Sequence, residues 1–310
     1  MERPQEKRTN PGAATLLREM VRSGVSVHIL SGSPEQMRRR LEDKLRLDGI
    51  AWDSFTLKPN LQNVLRLRFR AVRDQLGYKL PALLRARVLA QPSETGESAH
   101  RKETLFGDDA EADAFVYSLY ADVCSGHVGT EAIFQIATRG RVYPDVLESL
   151  LQYTRDLERR EVVERILIHL ERQTPPDDFR IFGARVVPFY NYLQAAFVVH
   201  EDGRLPADAV LRVGVELVVQ HRFDGEALAR SYLDLARRGH LRGTRIEDVA
   251  RAFAAWGDRM PAFAELRRMV ERLPSLAETA RSAWRGADQS LPDYTALVEN
   301  HNPRHRRRAR

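Results

Sequence analysis

The chain has 310 residues and a net charge of +6, and 43% of its residues are hydrophobic. This length suffices for one large domain or two ordinary ones, and the apolar content excludes a globally disordered protein. The single cysteine, Cys124, excludes an intramolecular disulfide and favours a reducing compartment, so we expect a cytoplasmic protein. Residues 1–10 lack the apolar core of a signal peptide, and no later stretch is typical of a transmembrane segment.

The positive charge is concentrated at the end of the chain. Residues 301–310, HNPRHRRRAR, hold five arginines, which account for five of the six net charges. We expect a disordered, solvated tail; the alternative is a patch that binds anionic lipid or nucleic acid through charge alone. No aromatic residue is interleaved with these arginines, so the tail offers no platform for base stacking, and we expect no specific nucleic-acid partner.

The first 125 residues alternate short β-rich runs with helical patterns. Short apolar runs predict strands at 25–30, 52–57 and 103–106. Ser33 as N-cap, Pro34 at the first helical position and Gln36 in a capping box predict that a helix follows the first strand. Further helices are predicted at 78–90 and from Asp109 to about Cys124. This rhythm predicts a parallel α/β layer.

The remainder of the chain reads as helical. A pattern of apolar residues at three- and four-residue spacing covers 144–173, and further helices are predicted at 182–199, 206–220, 225–238, 245–256 and 261–272. We therefore predict three parts: an α/β domain at 1–125, a helical domain of unknown role at 126–300, and the tail at 301–310.

The run VHILSGSP is favourable for binding a phosphate group. Ser31 follows the first predicted strand, Gly32 allows close approach of the backbone, and Ser33 begins the next helix. Free N–H groups and the positive end of the helix dipole would bind the anion, and the Ser31 hydroxyl would donate to a phosphoryl oxygen. The alternative is an ordinary turn that requires a small residue.

Four acids follow the third predicted strand within six residues. They are Asp108, Asp109, Glu111 and Asp113. Carboxylates at the carboxyl end of a strand in an open α/β sheet are well placed to hold Mg²⁺, which prefers oxygen ligands. The alternative is that one aspartate caps the helix while Glu111 and Asp113 complement its dipole, which accounts for two or three of the four acids.

Two lysines complete the set of candidate residues. Lys58 ends the second predicted strand, and Lys79 lies at a helix start, where the dipole disfavours a cation. Such a lysine is reasonable if it faces bound phosphate. The alternative for each is an ordinary surface lysine.

The order SGSP, LKP, YKLPALL, LFGDDAEAD over residues 10–125 resembles the haloacid-dehalogenase-like (HAD) superfamily, and within it the actin-patch type of phosphatidate phosphatases. The resemblance implies that Ser31 is the second motif, that Lys79 is the third with Lys58 in reserve, and that Gly107 with Asp108 and Asp113 form the fourth. It also implies a parallel sheet, Mg²⁺ as cofactor and a phosphorylated small molecule or lipid as substrate.

One motif of that family has no match in this chain. The chemistry of the superfamily begins with Asp-x-Asp on a central strand that precedes the serine motif, and its first aspartate attacks phosphorus. Here no aspartate precedes Asp43. We therefore expect an incomplete sheet, with a gap one strand wide between the serine strand and the acidic strand, and no phosphatase activity.

Two hypotheses about function follow. The first is a HAD-like, Mg²⁺-dependent phosphate-ester hydrolase domain that is inactive in this chain. The second is a scaffold in which the helical region at 126–300 binds a protein partner through an apolar groove and the α/β part is a remnant. We also expect that the reading frame upstream of Met1 encodes a strand ending in Asp-x-Asp, and that the 310-residue product is poorly soluble.

Overall fold

The computed structural model describes residues 9–58, 75–91, 101–258, 262–284 and 291–300. In these ranges the chain forms helices and two small parallel sheets, so the α/β class predicted from the sequence is confirmed. The predicted arginine tail lies outside the described residues. None of the helices in the described part of the chain combines the length and the apolar character that a bilayer crossing requires.

Five strands are present in the described ranges: β1 (His28–Pro34), β2 (Ser54–Lys58), β3 (Glu103–Asp108), β4 (Val163–His169) and β5 (Val186–Phe189). The helices are α1 (Ala13–Arg22), α2 (Arg38–Leu47), α3 (Lys79–Ala90), α4 (Asp113–Ser125), α5 (Thr130–Arg139), α6 (Pro144–Asp156), α7 (Tyr192–Glu201), α8 (Ala207–His221), α9 (Gly225–Arg237), α10 (Ile246–Trp256), α11 (Phe263–Ala283) and α12 (Tyr294–Asn300).

The chain divides into two compact units, each built from separate stretches of sequence. We call them the helical unit (Met1–Ile29, Gln36–Phe55 and Phe189–Gly286) and the sheet unit (Leu30–Glu35, Thr56–Pro188 and Ala287–Arg310). The helical unit contains α1, α2 and α7 to α11, in which α9 packs along α11 and α8 packs on α7. The sheet unit contains β3, β4 and all the sequence-predicted site residues.

The strands form two separate sheets, with the orders β1–β2 and β3–β4–β5. Strands β3 and β4 run parallel, and their register pairs Gly107 with Ile168 and Asp108 with His169. Parallel neighbours require a long crossover, and helices α4, α5 and α6 supply it. Among the described strands, β1 and β3 therefore each have one neighbour and belong to different sheets.

Helix α4 forms the centre of the core of the sheet unit. Every residue from Asp113 to Cys124 is buried. The helix packs on β3, β4 and α3, and its apolar side chains join those of β4 in one core cluster. Because α4 begins only five residues after β3 ends, its first turn stays at the carboxyl end of that strand. This connection places the acidic residues beside one another.

The start of the chain differs from the prediction. Strand β1 continues through Pro34, so Ser33 is extended and does not cap a helix. A short 3₁₀ turn, Glu35–Met37, follows, and α2 begins only at Arg38. The physical reason is that pairing with β2 keeps this run extended, while the Ser31 hydroxyl accepts the Ser33 N–H at 3.2 Å, a local bond that competes with helical capping.

The prediction of one helix over 144–173 was also wrong. Helix α6 ends at Asp156, and VERILIH forms the buried strand β4. A short apolar run that is buried on both faces does not alternate, so periodicity cannot separate it from a helix segment. The predicted helix at 182–199 likewise contains β5 before α7 begins. By contrast, α8, α9 and α10 confirm the helices predicted at 206–220, 225–238 and 245–256.

Candidate functional site

Lys79 is the centre of a buried polar cluster in the sheet unit. It is the first residue of α3, and its side chain is only 5% exposed. Its ammonium group donates to Glu111 Oε2 at 2.7 Å and to Asp113 Oδ1, and it lies 5.9 Å from the ring centre of Tyr117. These partners compensate a cation at a helix N-terminus, which is otherwise unfavourable there. Lys79 is therefore not an ordinary surface lysine.

The protonation states of the cluster follow from burial and charge. Burial lowers the pKa of Lys79, but the Tyr117 hydroxyl and the two carboxylates outweigh this and raise the pKa of Lys79 above its ordinary value. Burial raises the pKa of Asp113, and the Lys79 ammonium opposes that rise. Lys79 therefore remains a cation at neutral pH.

Gly107 and Asp113 are in close contact, which explains why a glycine stands at this position. A Cβ atom at Gly107 would lie 2.6 Å from both the Cβ and the Oδ2 atoms of Asp113. The same Oδ2 atom accepts the Asp108 N–H at 3.2 Å. Asp113 is thus packed against the end of β3 while it faces Lys79, and as the first residue of α4 it also complements the helix dipole.

Asp108 stabilises the turn between β3 and α4. Its Oδ1 atom accepts the N–H groups of Ala110 at 2.8 Å and Glu111 at 3.2 Å. This is an Asx turn, in which a short acidic side chain replaces a backbone acceptor. No bond to its Oδ2 atom is found from the described residues, so one carboxylate oxygen remains for a ligand.

Asp109 has a different role from its neighbour. Its Oδ1 atom accepts the Arg172 N–H at 2.8 Å, and its Oδ2 atom accepts the Thr174 N–H at 3.0 Å. Partial burial is the largest single influence and raises the pKa of Asp109, but the hydrogen bonds from the Arg172 and Thr174 backbone outweigh it and lower the pKa overall. Both carboxylate oxygens bind the loop that follows β4. Asp109 therefore anchors that loop, a role that competes with metal binding.

Strand β1 carries the predicted phosphate-binding residues, Ser31, Gly32 and Ser33, all of them half-buried. A Cβ atom at Gly32 would lie 3.9 Å from Glu111 Oε1, which brings the middle of β1 beside the acidic turn. The fold therefore brings three of the predicted motifs together, although they lie far apart in the sequence. Lys58, the reserve candidate, is the half-buried last residue of β2.

Two contributors were missed or undervalued by sequence reasoning. Gln75 is buried, and its amide donates to Glu111 Oε2 at 2.8 Å. Glu111 was expected only as one of four acids, yet it links Gln75, Lys79 and β1. In the sequence, the spacing of four residues between Gln75 and Lys79 was only a weak indication that the two side chains share a partner. We call Gln75, Lys79, Glu111 and Asp113 the Lys79 cluster.

The carboxylates fit Mg²⁺ only in part. No group of three or more His, Cys, Asp or Glu residues in the described ranges is arranged to hold a metal ion. Asp109 binds backbone groups through both oxygens, and Asp113 binds Lys79 and the Asp108 N–H. Asp108 retains its Oδ2 atom, to which no residue in the described ranges donates. Because Mg²⁺ is often held by one or two carboxylates together with water and substrate oxygens, Asp108 fits a weak site of that kind.

Comparison with known proteins adds no family to these observations. No protein-family model, curated protein or solved structure matches this chain.

Proposed function

We propose that the sheet unit is a HAD-like domain that binds the phosphoryl group of a phosphorylated small molecule or lipid, assisted by Mg²⁺. The observation that carries the proposal is the meeting of β1, Lys79 and the acidic turn around Glu111. These parts are separated by 32 residues or more in the sequence, and the fold brings them within contact distance. An ordinary turn and an ordinary surface lysine would not require this meeting.

The sheet order supports the HAD-like arrangement. The resemblance implies that a strand carrying Asp-x-Asp separates the serine strand from the acidic strand. Strands β1 and β3 match those two strands by sequence, and they belong to different sheets. This separation agrees with a HAD-like sheet that lacks its Asp-x-Asp strand.

The charges near Lys79 favour a cation as cofactor. Glu111 and Asp113 both pair with the Lys79 ammonium, and Asp108 adjoins Asp113, so these three carboxylates outweigh the charge of Lys79 and would repel a phosphate dianion on its own. Mg²⁺ would offset this charge and polarise the phosphoryl oxygens. Asp108 would hold the ion with its remaining oxygen, while Lys79 and the Ser31 hydroxyl would orient the phosphoryl group.

Turnover by HAD-like chemistry would require a nucleophilic aspartate on a strand that precedes the serine motif. No aspartate precedes Asp43, and the acids near Lys79 already serve the β3–α4 turn and the ion pairs. We therefore propose binding without hydrolysis for the 310-residue chain.

Isothermal titration of inorganic phosphate into the full chain, with and without MgCl₂, tests this proposal. Binding should require Mg²⁺ and weaken about tenfold or more in Ser31→Ala and Lys79→Met, the loss of one charge-assisted bond. Lys44→Met is the matched control, since Lys44 pairs with Asp48 in the helical unit. Equal affinity in the wild type and in Ser31→Ala and Lys79→Met, once circular dichroism has shown that each is folded, would contradict the proposal.

A further inference from the structure

We propose that the Glu111 carboxylate occupies the anion position of the Lys79 cluster and competes with phosphate for it. This inference rests on the proposed function and adds a regulatory feature to the same site. Phosphate would enter by displacing Glu111 from Lys79 and Gln75. The wild-type affinity for phosphate would then be lower than the affinity that Lys79 and Gln75 would give if Glu111 did not occupy their hydrogen bonds.

The geometry of Glu111 is that of a bound anion. Its Oε2 atom accepts two hydrogen bonds at once, from Lys79 Nζ at 2.7 Å and from Gln75 Nε2 at 2.8 Å. Its Oε1 atom faces β1, 3.9 Å from the position of a Cβ atom at Gly32. One carboxylate therefore bridges the buried donors and the strand that carries the serine motif. A phosphoryl group bound by the same donors would need this space.

Glu111 is also the member of the cluster that can leave. Its side chain is 27% exposed, whereas that of Asp113 is 4% exposed and is packed against Gly107. If Glu111 rotates outward, Asp113 remains paired with Lys79, so the buried ammonium never loses all its partners. That matters because an unpaired buried charge costs several kcal/mol. Exchanging Glu111 for phosphate therefore avoids the free-energy cost of an unpaired buried ammonium, whereas losing Asp113 would risk it.

Phosphate titrations of Glu111 variants test the inference. We would first measure Mg²⁺ binding to each full-length protein and then titrate inorganic phosphate at saturating MgCl₂. Glu111→Ala should bind phosphate about tenfold more tightly than the wild type, because no charge-assisted bond has to be displaced. Glu111→Gln, which keeps the shape and removes the charge, should also bind more tightly. Glu131→Gln is the matched control, since Glu131 is exposed in the first turn of α5.

The outcomes separate this inference from the proposed function. Phosphate binding that is equal or weaker in both folded Glu111 variants than in the wild type would overturn the competition and leave the proposed function standing. No phosphate binding in any of the folded proteins, including Glu111→Ala, would overturn both. Binding that becomes detectable only when Glu111 is replaced would support the competition most directly. Near-ultraviolet circular dichroism establishes folding, and the Gln variant serves if the Ala variant does not fold.

Discussion

At the scale of single residues, the site depends on a cation in an unusual place. A lysine at the start of a helix normally remains in water, because the dipole and burial both disfavour its charge there. Lys79 is buried instead, and its ion pairs come from residues 32 and 34 positions away. Its position is fixed by the fold and not by its own helix. Asp113, the buried partner of Lys79, therefore tolerates little change.

Gly107→Ala should destabilise the protein by about 1–3 kcal/mol, as overpacking of a filled site does. The new methyl group would lie 2.6 Å from Asp113, which would have to move away from Lys79. Urea unfolding of the full chain measures the change. Gly32→Ala is the control, because its Cβ atom would lie at an ordinary 3.9 Å from Glu111. Equal unfolding free energies of the two variants would show that the close contact at Gly107 does not affect the stability of the protein.

Cys124 should be almost unreactive in the folded protein. Burial, with the Glu103 carboxylate adding to it, raises the pKa of the Cys124 thiol from 9.0 to about 12, and the side chain is 1% exposed. The thiolate fraction near neutral pH falls about a thousandfold, and the thiolate is the reactive form. Labelling with a disulfide reagent should be slow in buffer and fast in urea. Rapid labelling under native conditions would contradict this burial.

At the scale of elements, one carboxylate connects the loops that follow β3 and β4. Asp109 follows β3, and its oxygens bind backbone groups of the loop after β4. Since β3 and β4 are neighbours in register, the loops at their carboxyl ends meet, and Asp109 links them. The Lys79 cluster is positioned by the same edge of the sheet. The Asp109 contact with the loop and the Lys79 cluster are therefore both held in place by the carboxyl end of β3.

Asp109→Asn should cost about 1 kcal/mol at neutral pH, because an amide oxygen replaces only one of two carboxylate acceptors. The pKa of Asp109 is lowered in the folded state, so its contribution is present above the unfolded value of 3.8 and is lost as the pH falls through the lower folded value. The gap in urea stability between wild type and variant should thus narrow in acid.

The matched control for the comparison of Asp109→Asn with the wild type is Asp145→Asn, because Asp145 is an exposed residue in the first turn of α6. Hydrogen exchange offers a second measurement, in which the amides of Arg172 and Thr174 should lose protection in Asp109→Asn alone. A gap that stays constant from neutral pH into acid would rule out the pH-dependent anchor.

At the scale of the whole molecule, the feature that bears on association is the set of strand edges in the described ranges. Among the described strands, β1 pairs only with β2, and β3 pairs only with β4. One side of β1 and one side of β3 therefore have no neighbour among these strands. All six residues of β3 are half-buried, whereas β5 is wholly buried. Strand edges of this kind are templates for pairing with other chains.

We therefore expect the 310-residue chain to associate as its concentration rises. Light scattering after gel filtration should show a mass that grows with protein concentration. Thr104→Lys, which places a charge on β3, should reduce the association, as charged residues do on natural edge strands. The control Thr130→Lys places the same charge at the start of α5. A stable monomer at every concentration would argue against exposed edges.

Local patterns were enough to predict much of this protein. The runs at 52–57 and 103–106 led to β2 and β3, and the helical periodicity led to α8, α9 and α10, because each of these elements carries its own signal in the order of its residues. The grouping of Asp108 with Asp113 was also predictable, since a strand that ends five residues before a helix keeps them together. The HAD resemblance and the expectation of Mg²⁺ stay predictions.

Only the tertiary structure decided the rest. The run VERILIH became β4 because burial on both faces removes the alternation by which a strand is recognised. Asp109 has a different role from Asp108 and Asp113 because its carboxylate accepts two N–H groups of the loop after β4. No local sequence pattern specifies that contact. The bonds from Gln75 and Lys79 to Glu111 join residues 36 and 32 positions apart, and such contacts arise only when the chain is packed. The sequence determined which chemical groups are present, and the fold decided which of them meet.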